Sequence, residues 1–161
     1  MIKVLFLCTG NSARSQMAEV LLNKFGKGKY VAKSAGSAPK DEVDPHTMKV
    51  IEHSGYDVTS LKPKSMDQFI DEEFDLVITL CDKMKEECPV FPNKPIYAHW
   101  GMPDPVAFEG SEEEKNAYFS RTFQEISHRI HLLLNVKIDK TEREAIEKEL
   151  GEIASTWKYL R

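Results

Sequence analysis

Four short stretches of the chain have the apolar pattern of β-strands. Residues 4–7 and 74–80 are strongly apolar runs, as expected for strands that helices cover on both faces. Residues 29–34, which lead into a glycine-containing turn, and residues 95–100 are predicted as two further strands. The pattern therefore predicts a largely buried sheet.

Between these strands, apolar residues recur at helical spacing. Helices are predicted at residues 12–25, 45–54, 66–70 and 111–133. Asp44 and Pro45 have the residue types preferred at the N-cap and the first position of a helix. Ser111 and Glu114 form a capping box at the start of the longest helix. Strands that alternate with helices predict an α/β fold, a four-stranded parallel sheet with helices on both faces and right-handed crossovers.

The end of the chain is predicted as a further helix. Thr141 and Glu144 have the spacing of a capping box. Apolar residues follow at helical spacing, at Ile146, Leu150, Ile153, Trp157 and Leu160. We interpret residues 136–161 as a helical extension that packs on the domain formed by residues 1–135, which favours a monomer. The alternative is that this apolar face forms a dimer contact.

Composition excludes several classes of function. The 161 residues are enough for one domain, and 41% of them are hydrophobic, as is ordinary for a globular protein. The net charge of −4 gives no basic surface for a nucleic-acid partner. The sequence has neither a membrane-spanning apolar run nor a signal-peptide pattern, so we expect a cytoplasmic protein without a membrane partner. In a reducing compartment, three cysteines suggest chemistry more than structural disulfides.

The first predicted strand ends in a pattern that is typical of an anion-binding loop. Five residues separate Cys8 from Arg14, and two of them, Gly10 and Asn11, tolerate left-handed backbone angles. A loop that curls in this way points its backbone N–H groups inward, where they and the positive end of the following helix can hold a tetrahedral oxyanion. The predicted oxyanion-binding residues are consecutive: Thr9, Gly10, Asn11, Ser12, Ala13 and Arg14.

Cys8 has the surroundings of a nucleophile. The helix N-terminus and the Arg14 guanidinium favour its thiolate form, and Ser15 is positioned to donate a hydrogen bond to the sulfur. The alternative is an inert core cysteine at the end of a strand. The combined pattern of loop and helix favours the catalytic interpretation.

The other two cysteines lie seven residues apart. Cys81 follows the strand at 74–80, so the fold should bring it to the same edge of the sheet as Cys8. An intact helix between Cys81 and Cys88 would hold their sulfurs about 10 Å apart. A disulfide needs Cα atoms within about 7 Å, so the polar segment would have to unwind before these residues could bond. The alternatives are two inert thiols or a zinc site that includes His99.

Residues 8–19 read Cys-Thr-Gly-Asn-Ser-Ala-Arg-Ser-Gln-Met-Ala-Glu. This stretch resembles the low-molecular-weight protein tyrosine phosphatase superfamily, and most of all its thioredoxin-coupled arsenate reductase branch. The resemblance covers residues 1 to about 135, and implies a phosphatase-like catalytic domain with flavodoxin-like topology. It also implies that Asp104, in the segment 99–105, is a general acid that protonates the leaving oxygen.

The resemblance further implies the roles of the three cysteines. Cys8 attacks arsenate, for which phosphate or sulfate is a mimic, Cys81 forms a disulfide with Cys8 as arsenite leaves, and Cys88 moves the disulfide to Cys81. Thioredoxin then reduces that disulfide, so no redox cofactor is bound. Asn11, Glu19 and Ser34 match positions that bind a potassium ion in some relatives.

Two other functions remain open on the sequence alone. A protein tyrosine phosphatase would use Cys8, Arg14 and Asp104 and leave the other cysteines idle. Phosphatases of this family usually have aromatic residues directly after the acid and a proline at the position of Gln16, whereas residues 106–109 of this chain provide no evident ring-stacking wall. The second is an oxyanion-binding or phosphoryl-carrier module without turnover, which Asp104 argues against.

Overall fold

The computed structural model, which describes residues 1–155, contains a sheet of four parallel strands. The strands are β1 (Ile2–Cys8), β2 (Tyr30–Gly36), β3 (Leu76–Thr79) and β4 (Ile96–His99). Their spatial order is β2-β1-β3-β4, with every pair parallel. The predicted sheet is therefore confirmed.

Helices connect the strands and cover them. The α-helices are α1 (Arg14–Phe25), α2 (Pro45–His53), α3 (Asp82–Glu87), α4 (Glu112–Leu133) and α5 (Arg143–Ile153). Short 3-10 helices lie at Met66–Phe69, Pro105–Ala107 and Lys140–Glu142. Every residue of β1 from Val4 to Cys8 is buried. Because neighbouring residues of a strand face opposite sides of the sheet, both faces are covered.

Two of the three predicted helix caps are confirmed. Asp44 accepts hydrogen bonds from the first turn of α2, and Ser111 forms a reciprocal capping box with Glu114 at the start of α4. The capping box predicted for Thr141 is wrong. Asp139 Oδ1 instead accepts from both the backbone N and the hydroxyl of Thr141, at 3.0 and 2.7 Å, so the segment begins with a 3-10 turn.

The described part of the C-terminal segment packs on the same core as the sheet. Ile146, Leu150 and Ile153 are buried, and the indole N–H of Trp100 donates to the backbone oxygen of Leu150 at 2.9 Å. Trp100 follows β4, so α5 holds the chain where it leaves the sheet. The predicted helical positions Trp157 and Leu160 lie outside the described residues.

A buried ion pair on α4 holds the chain segment that follows β4. Arg129 Nη2 lies 2.9 Å from Glu125 Oε1, with both side chains at most 1% exposed, and Arg129 Nη1 donates to the backbone oxygen of Trp100 at 2.7 Å. A buried charge needs a partner, because its hydration is lost. The pair therefore fixes the chain that leads from β4 toward Asp104.

Arg129→Met should lower the free energy of unfolding by about 3–5 kcal/mol, because it leaves the Glu125 carboxylate buried without its cation. Urea denaturation followed by circular dichroism measures this loss. Arg121→Met, at an exposed position of the same helix, is the matched control and should change stability by less than about 0.5 kcal/mol. Equal effects of the two variants would contradict the assigned role of the pair.

In residues 1–155, no helix is both long enough and apolar enough to cross a membrane.

Candidate active site

The loop between β1 and α1 forms the centre of the site. Asn11 has a φ of 50°, the left-handed conformation predicted for it, whereas Gly10 is not in that region. At Gly36, on the neighbouring strand, a Cβ atom would come within 2.3 Å of the Thr9 oxygen, so only glycine allows β2 to lie this close to the loop. The close approach of β2 therefore fixes the path of the loop.

This loop lines a cavity of about 310 Å³. The predicted oxyanion-binding residues all line it, together with three residues from other segments, Ala38, Lys40 and Asp104. Backbone N–H groups of Ala38 and Lys40 donate to the loop oxygens of Thr9 and Gly10, each at 3.0 Å. These bonds hold Lys40 at the cavity, where it adds a cation that sequence reasoning did not identify.

The hydrogen bonds around Cys8 have one consistent direction. The backbone N–H of Lys64 can only donate, so the atom of Asn11 that it contacts at 2.9 Å is the side-chain oxygen. The amide nitrogen of Asn11 therefore donates to Ser15 Oγ, at 2.7 Å. The hydroxyl hydrogen of Ser15 is then available to Cys8 Sγ, 3.0 Å away. A donor aimed at the sulfur favours the thiolate.

Arg14 is held from two other strand ends. Its side chain is almost completely buried, and its Nη1 donates to the backbone oxygens of Leu80 and Met102 at 3.2 and 2.8 Å. Leu80 follows β3 and Met102 follows β4, so one guanidinium joins three segments at the carboxyl edge of the sheet. A planar cation fixed in this way is preorganised to bind an oxyanion.

Asp104 lines the same cavity. Its Oδ1 is 3.9 Å from Arg14 Nη2 and accepts from the backbone N of Val106 at 3.0 Å, so the carboxylate also caps a short 3-10 helix. The side chain is 45% exposed. A carboxyl group at the mouth of an anion cavity can exchange protons with water and with a leaving oxygen.

The second and third cysteines bracket α3. Cys81 is the N-cap residue and Cys88 the C-cap residue of this six-residue helix, and all three cysteines of the chain are free thiols. Cys81 Sγ lies 3.4 Å from the hydroxyl of Thr9, the residue that follows Cys8. The fold thus brings Cys81 next to the anion loop and holds Cys88 away at the far end of a helix.

His99 ties the start of α3 to the sheet. Its Nδ1 is 2.7 Å from the hydroxyl of Thr79, and its Nε2 donates to the carboxylate of Asp82 at 3.0 Å. Sequence reasoning considered His99 only as a zinc ligand. Within residues 1–155, no three His, Cys, Asp or Glu side chains are grouped so that they could hold a metal ion.

Cys88 is poorly suited to attack while the helix is intact. Burial raises the pKa of its thiol from 9.0 to about 11. A higher pKa leaves less thiolate at neutral pH, by up to about a hundredfold for this difference. The folded state should accordingly lose stability as the pH rises from about 9 toward 11, because the unfolded chain releases this proton first.

In the double variant Cys8→Ser, Cys81→Ser, iodoacetamide should modify Cys88 slowly at pH 8, with a rate that keeps rising up to about pH 11. In urea the pH dependence of the reaction should be that of an ordinary exposed thiol, and at pH 8 the reaction should be up to about a hundredfold faster than in the native state. Mass spectrometry of timed samples measures both rates. A native-state rate that reaches its plateau near pH 9 would show that burial does not suppress this thiolate.

The three residues that the resemblance assigns to potassium lie together. Asn11 Nδ2 donates to Ser34 Oγ at 3.0 Å, and Ser34 Oγ donates to Glu19 Oε1 at 3.3 Å. A fourth residue, which the sequence did not indicate, joins them, because Lys64 Nζ lies 3.5 Å from Glu19 Oε1. The group therefore contains its own cation.

Comparison with known proteins agrees with the resemblance. The model of the family described as low molecular weight phosphotyrosine protein phosphatase matches residues 3–149. An arsenate reductase of Halalkalibacterium halodurans is 39% identical over 127 residues, which are 79% of this chain and 91% of that protein. The chain therefore belongs to the low-molecular-weight phosphotyrosine protein phosphatase family.

Solved structures of arsenate reductases share this fold. One arsenate reductase in its phosphate-binding state has a TM-score of 0.68 and 28% identity, covering 86% of this chain and all of that one. A thioredoxin-dependent arsenate reductase of Corynebacterium glutamicum has a TM-score of 0.58 and 29% identity, covering 83% of this chain and 63% of that one.

Proposed function

We propose that this member of the family is an arsenate reductase, which converts arsenate to arsenite through Cys8, Cys81 and Cys88 and is reduced by thioredoxin. The observation that carries the proposal is the position of the second and third thiols. Cys81 lies against the anion loop and is joined to Cys88 by a helix of only six residues. Hydrolysis of a phosphate ester would need neither thiol. Relatives that are arsenate reductases support the same conclusion.

The first step is attack by the Cys8 thiolate on the arsenic atom. The S–As bond forms while an As–O bond breaks, and a proton from Asp104 lets the oxygen leave as water. The loop N–H groups and Arg14 bind the oxyanion, while Ser15 stabilises the thiolate before attack. Arsenic is still in its pentavalent state after this step.

The second step is the reduction. The Cys81 thiolate attacks Cys8 Sγ, an S–S bond forms, and the electrons of the broken S–As bond go to arsenic, which leaves as arsenite. Cys81 is the attacking thiol in this proposal, and its position supports that role: its sulfur lies 3.4 Å from the hydroxyl of Thr9, the residue that follows Cys8. Both electrons come from the two thiolates, so the step needs no bound redox cofactor.

The third step moves the disulfide to the protein surface. Cys88 attacks Cys81, which frees Cys8 as a thiolate, and α3 must unwind to bring the two residues within bonding distance. Only Met84 of this helix is buried, so few contacts oppose unwinding. Val90, two residues past Cys88, is 90% exposed, which leaves the region accessible to thioredoxin. The thioredoxin dithiol supplies two electrons and two protons.

The second candidate is a tyrosine phosphatase that forms a phospho-enzyme on Cys8. The cavity with Cys8, Arg14 and Asp104 favours it, because these groups also serve phosphate-ester hydrolysis. Against it, Phe108, the aromatic residue that closely follows Asp104, packs on another side chain. Phe108 stacks on Tyr118, with ring centroids 4.4 Å apart, and so is not directed to a substrate ring.

The test compares the two activities in one preparation. Arsenate should drive NADPH oxidation in the presence of thioredoxin and thioredoxin reductase, and the rate should exceed that with glutaredoxin coupling. Hydrolysis of an aryl phosphate should be slow under the same conditions. A protein that is silent with arsenate under both couplings, yet hydrolyses the aryl phosphate in a Cys8-dependent way, is a phosphatase.

A further inference from the structure

A continuous network of hydrogen bonds joins the Glu19 carboxylate, which forms an ion pair with Lys64, to the Cys8 sulfur. Because Asn11 must present its side-chain oxygen to the backbone N–H of Lys64, its amide donates through both hydrogens, one to Ser15 and one to Ser34. The Ser34 hydroxyl is then left to donate to Glu19. The donors therefore run outward from the Asn11 amide in both directions, through Ser15 to the Cys8 sulfur at one end and through Ser34 to the Glu19 carboxylate at the other.

Glu19, at the end of this hydrogen-bond network, is buried enough to need a cation beside it. The side chains of Glu19 and Lys64 are 15% and 16% exposed, and Asn11, Ser15 and Ser34 are completely buried. A largely buried carboxylate is unfavourable unless a positive charge compensates it. The Lys64 ammonium is 3.5 Å from Glu19 Oε1 and also donates to the backbone oxygen of Lys62 at 3.3 Å. Its position is therefore fixed by two acceptors.

These residues do not fit a bound potassium ion. A potassium ion needs oxygen atoms around it, but Asn11 presents its amide nitrogen to Ser34, since its oxygen is engaged by Lys64. The charge of Glu19 is already matched by the ammonium of Lys64. A second cation at the same place would be repelled by the first and would have to displace it.

We propose that Lys64 acts as a built-in monovalent cation, which holds Glu19, Ser34 and Asn11 so that Ser15 donates to the Cys8 thiolate, and that the anion loop therefore works without potassium. Lys64 is a positioning residue in this proposal, since it contacts neither the oxyanion nor the sulfur. The proposal concerns the same loop as the proposed reduction of arsenate. It is tested by binding of inorganic phosphate and by thiol reactivity, both of which are independent of whether arsenate is reduced.

The experiment compares wild type and Lys64→Ala in potassium chloride and in choline chloride of equal ionic strength. For wild type, phosphate affinity, melting temperature and the pH profile of Cys8 alkylation should be the same in the two salts. Lys64→Ala in choline should bind phosphate about tenfold more weakly, since the ion pair that holds Glu19 and, through it, the loop is lost. Its Cys8 alkylation profile should also move to higher pH, and potassium should restore both properties.

Two further variants separate a specific cation from general damage. Lys64→Arg, which keeps the charge, should retain most of the wild-type phosphate affinity in choline. Lys33→Ala removes another lysine that pairs with a glutamate, Glu72, at 3.1 Å, and should bind phosphate like wild type in both salts.

The proposal fails if potassium increases phosphate affinity or melting temperature in wild type relative to choline. It also fails if Lys64→Ala binds phosphate normally in choline, or if its loss of affinity is the same in both salts.

Discussion

In a single-turnover reaction without thioredoxin, Cys88→Ser should release one equivalent of arsenite per protein, whereas Cys8→Ser and Cys81→Ser should release none. In the proposed relay Cys88 acts only after arsenite has left, so its loss should trap the Cys8–Cys81 disulfide. Without Cys81 the arsenic stays on Cys8 in its pentavalent state, and without Cys8 no adduct forms. Arsenite is measured by speciation of the filtrate, and the trapped disulfide by peptide mapping.

The same three variants should all fail in multiple turnover with thioredoxin. Loss of an essential nucleophile removes a step that the remaining residues cannot perform, so we expect a decrease in rate of at least about 10³-fold. Phosphate binding should remain in each variant, which shows that the loop is still folded. A Cys81→Ser protein that turns over at the wild-type rate would refute the relay, and a Cys88→Ser protein that does so would remove Cys88 from it.

The strands and most helices could be predicted because their determinants are local. The apolar run at residues 4–7 lies within β1, and the caps at Asp44 and Ser111 use only residues within the next turn. The C-terminal cap shows the limit of this reasoning. Thr141 and Asp139 are both capping residue types, and Asp139 takes the cap position, which places Thr141 inside the 3-10 helix Lys140–Glu142 and not at the start of α5.

The supporting residues of the site could not be predicted, because their partners are distant in the sequence. Lys64 lies in a polar loop without periodicity, and its role depends on Glu19 and Asn11, more than 40 residues away. Arg129 lies on the apolar face of its helix, three residues after Ile126 and four before Leu133, and nothing in the local pattern indicates which groups compensate its charge. It is buried because Glu125 and the backbone at Trp100 supply its acceptors, and only the tertiary fold brings Trp100, the residue that follows β4, beside α4.

The anion loop itself is an intermediate case. Its composition predicted the left-handed conformation of Asn11 and the placing of Cys8 and Arg14 at one cavity. It did not indicate that Lys40 would line the same cavity. Lys40 lies in the turn after β2, and the sequence of that turn does not show that it hydrogen-bonds to the loop after β1. Local patterns therefore predicted which candidate reacting groups lie at one cavity, and the tertiary fold adds the charges around them.

Arg14→Lys should lower kcat/KM for arsenate by about 10²–10³-fold, although the charge is kept. The guanidinium binds two backbone oxygens, of Leu80 and Met102, through one nitrogen and still presents the rest of its fork to the cavity. A lysine ammonium has one nitrogen, so it cannot hold both strand ends and bind two oxygens of the substrate in one plane. Phosphate affinity should decrease along with kcat/KM, since the same donors bind both anions.

Steady-state kinetics with thioredoxin coupling and calorimetric titration with phosphate measure these two losses. Arg121→Lys, at an exposed position of α4, is the control for the exchange of side chains and should behave like wild type. If Arg14→Lys retained kcat/KM within about twofold, the charge alone would suffice and the planar, bidentate geometry would contribute little. If affinity for phosphate fell but kcat did not, Arg14 would bind the ground state and the transition state equally, and the backbone N–H groups of the loop would carry the stabilisation of the transition state.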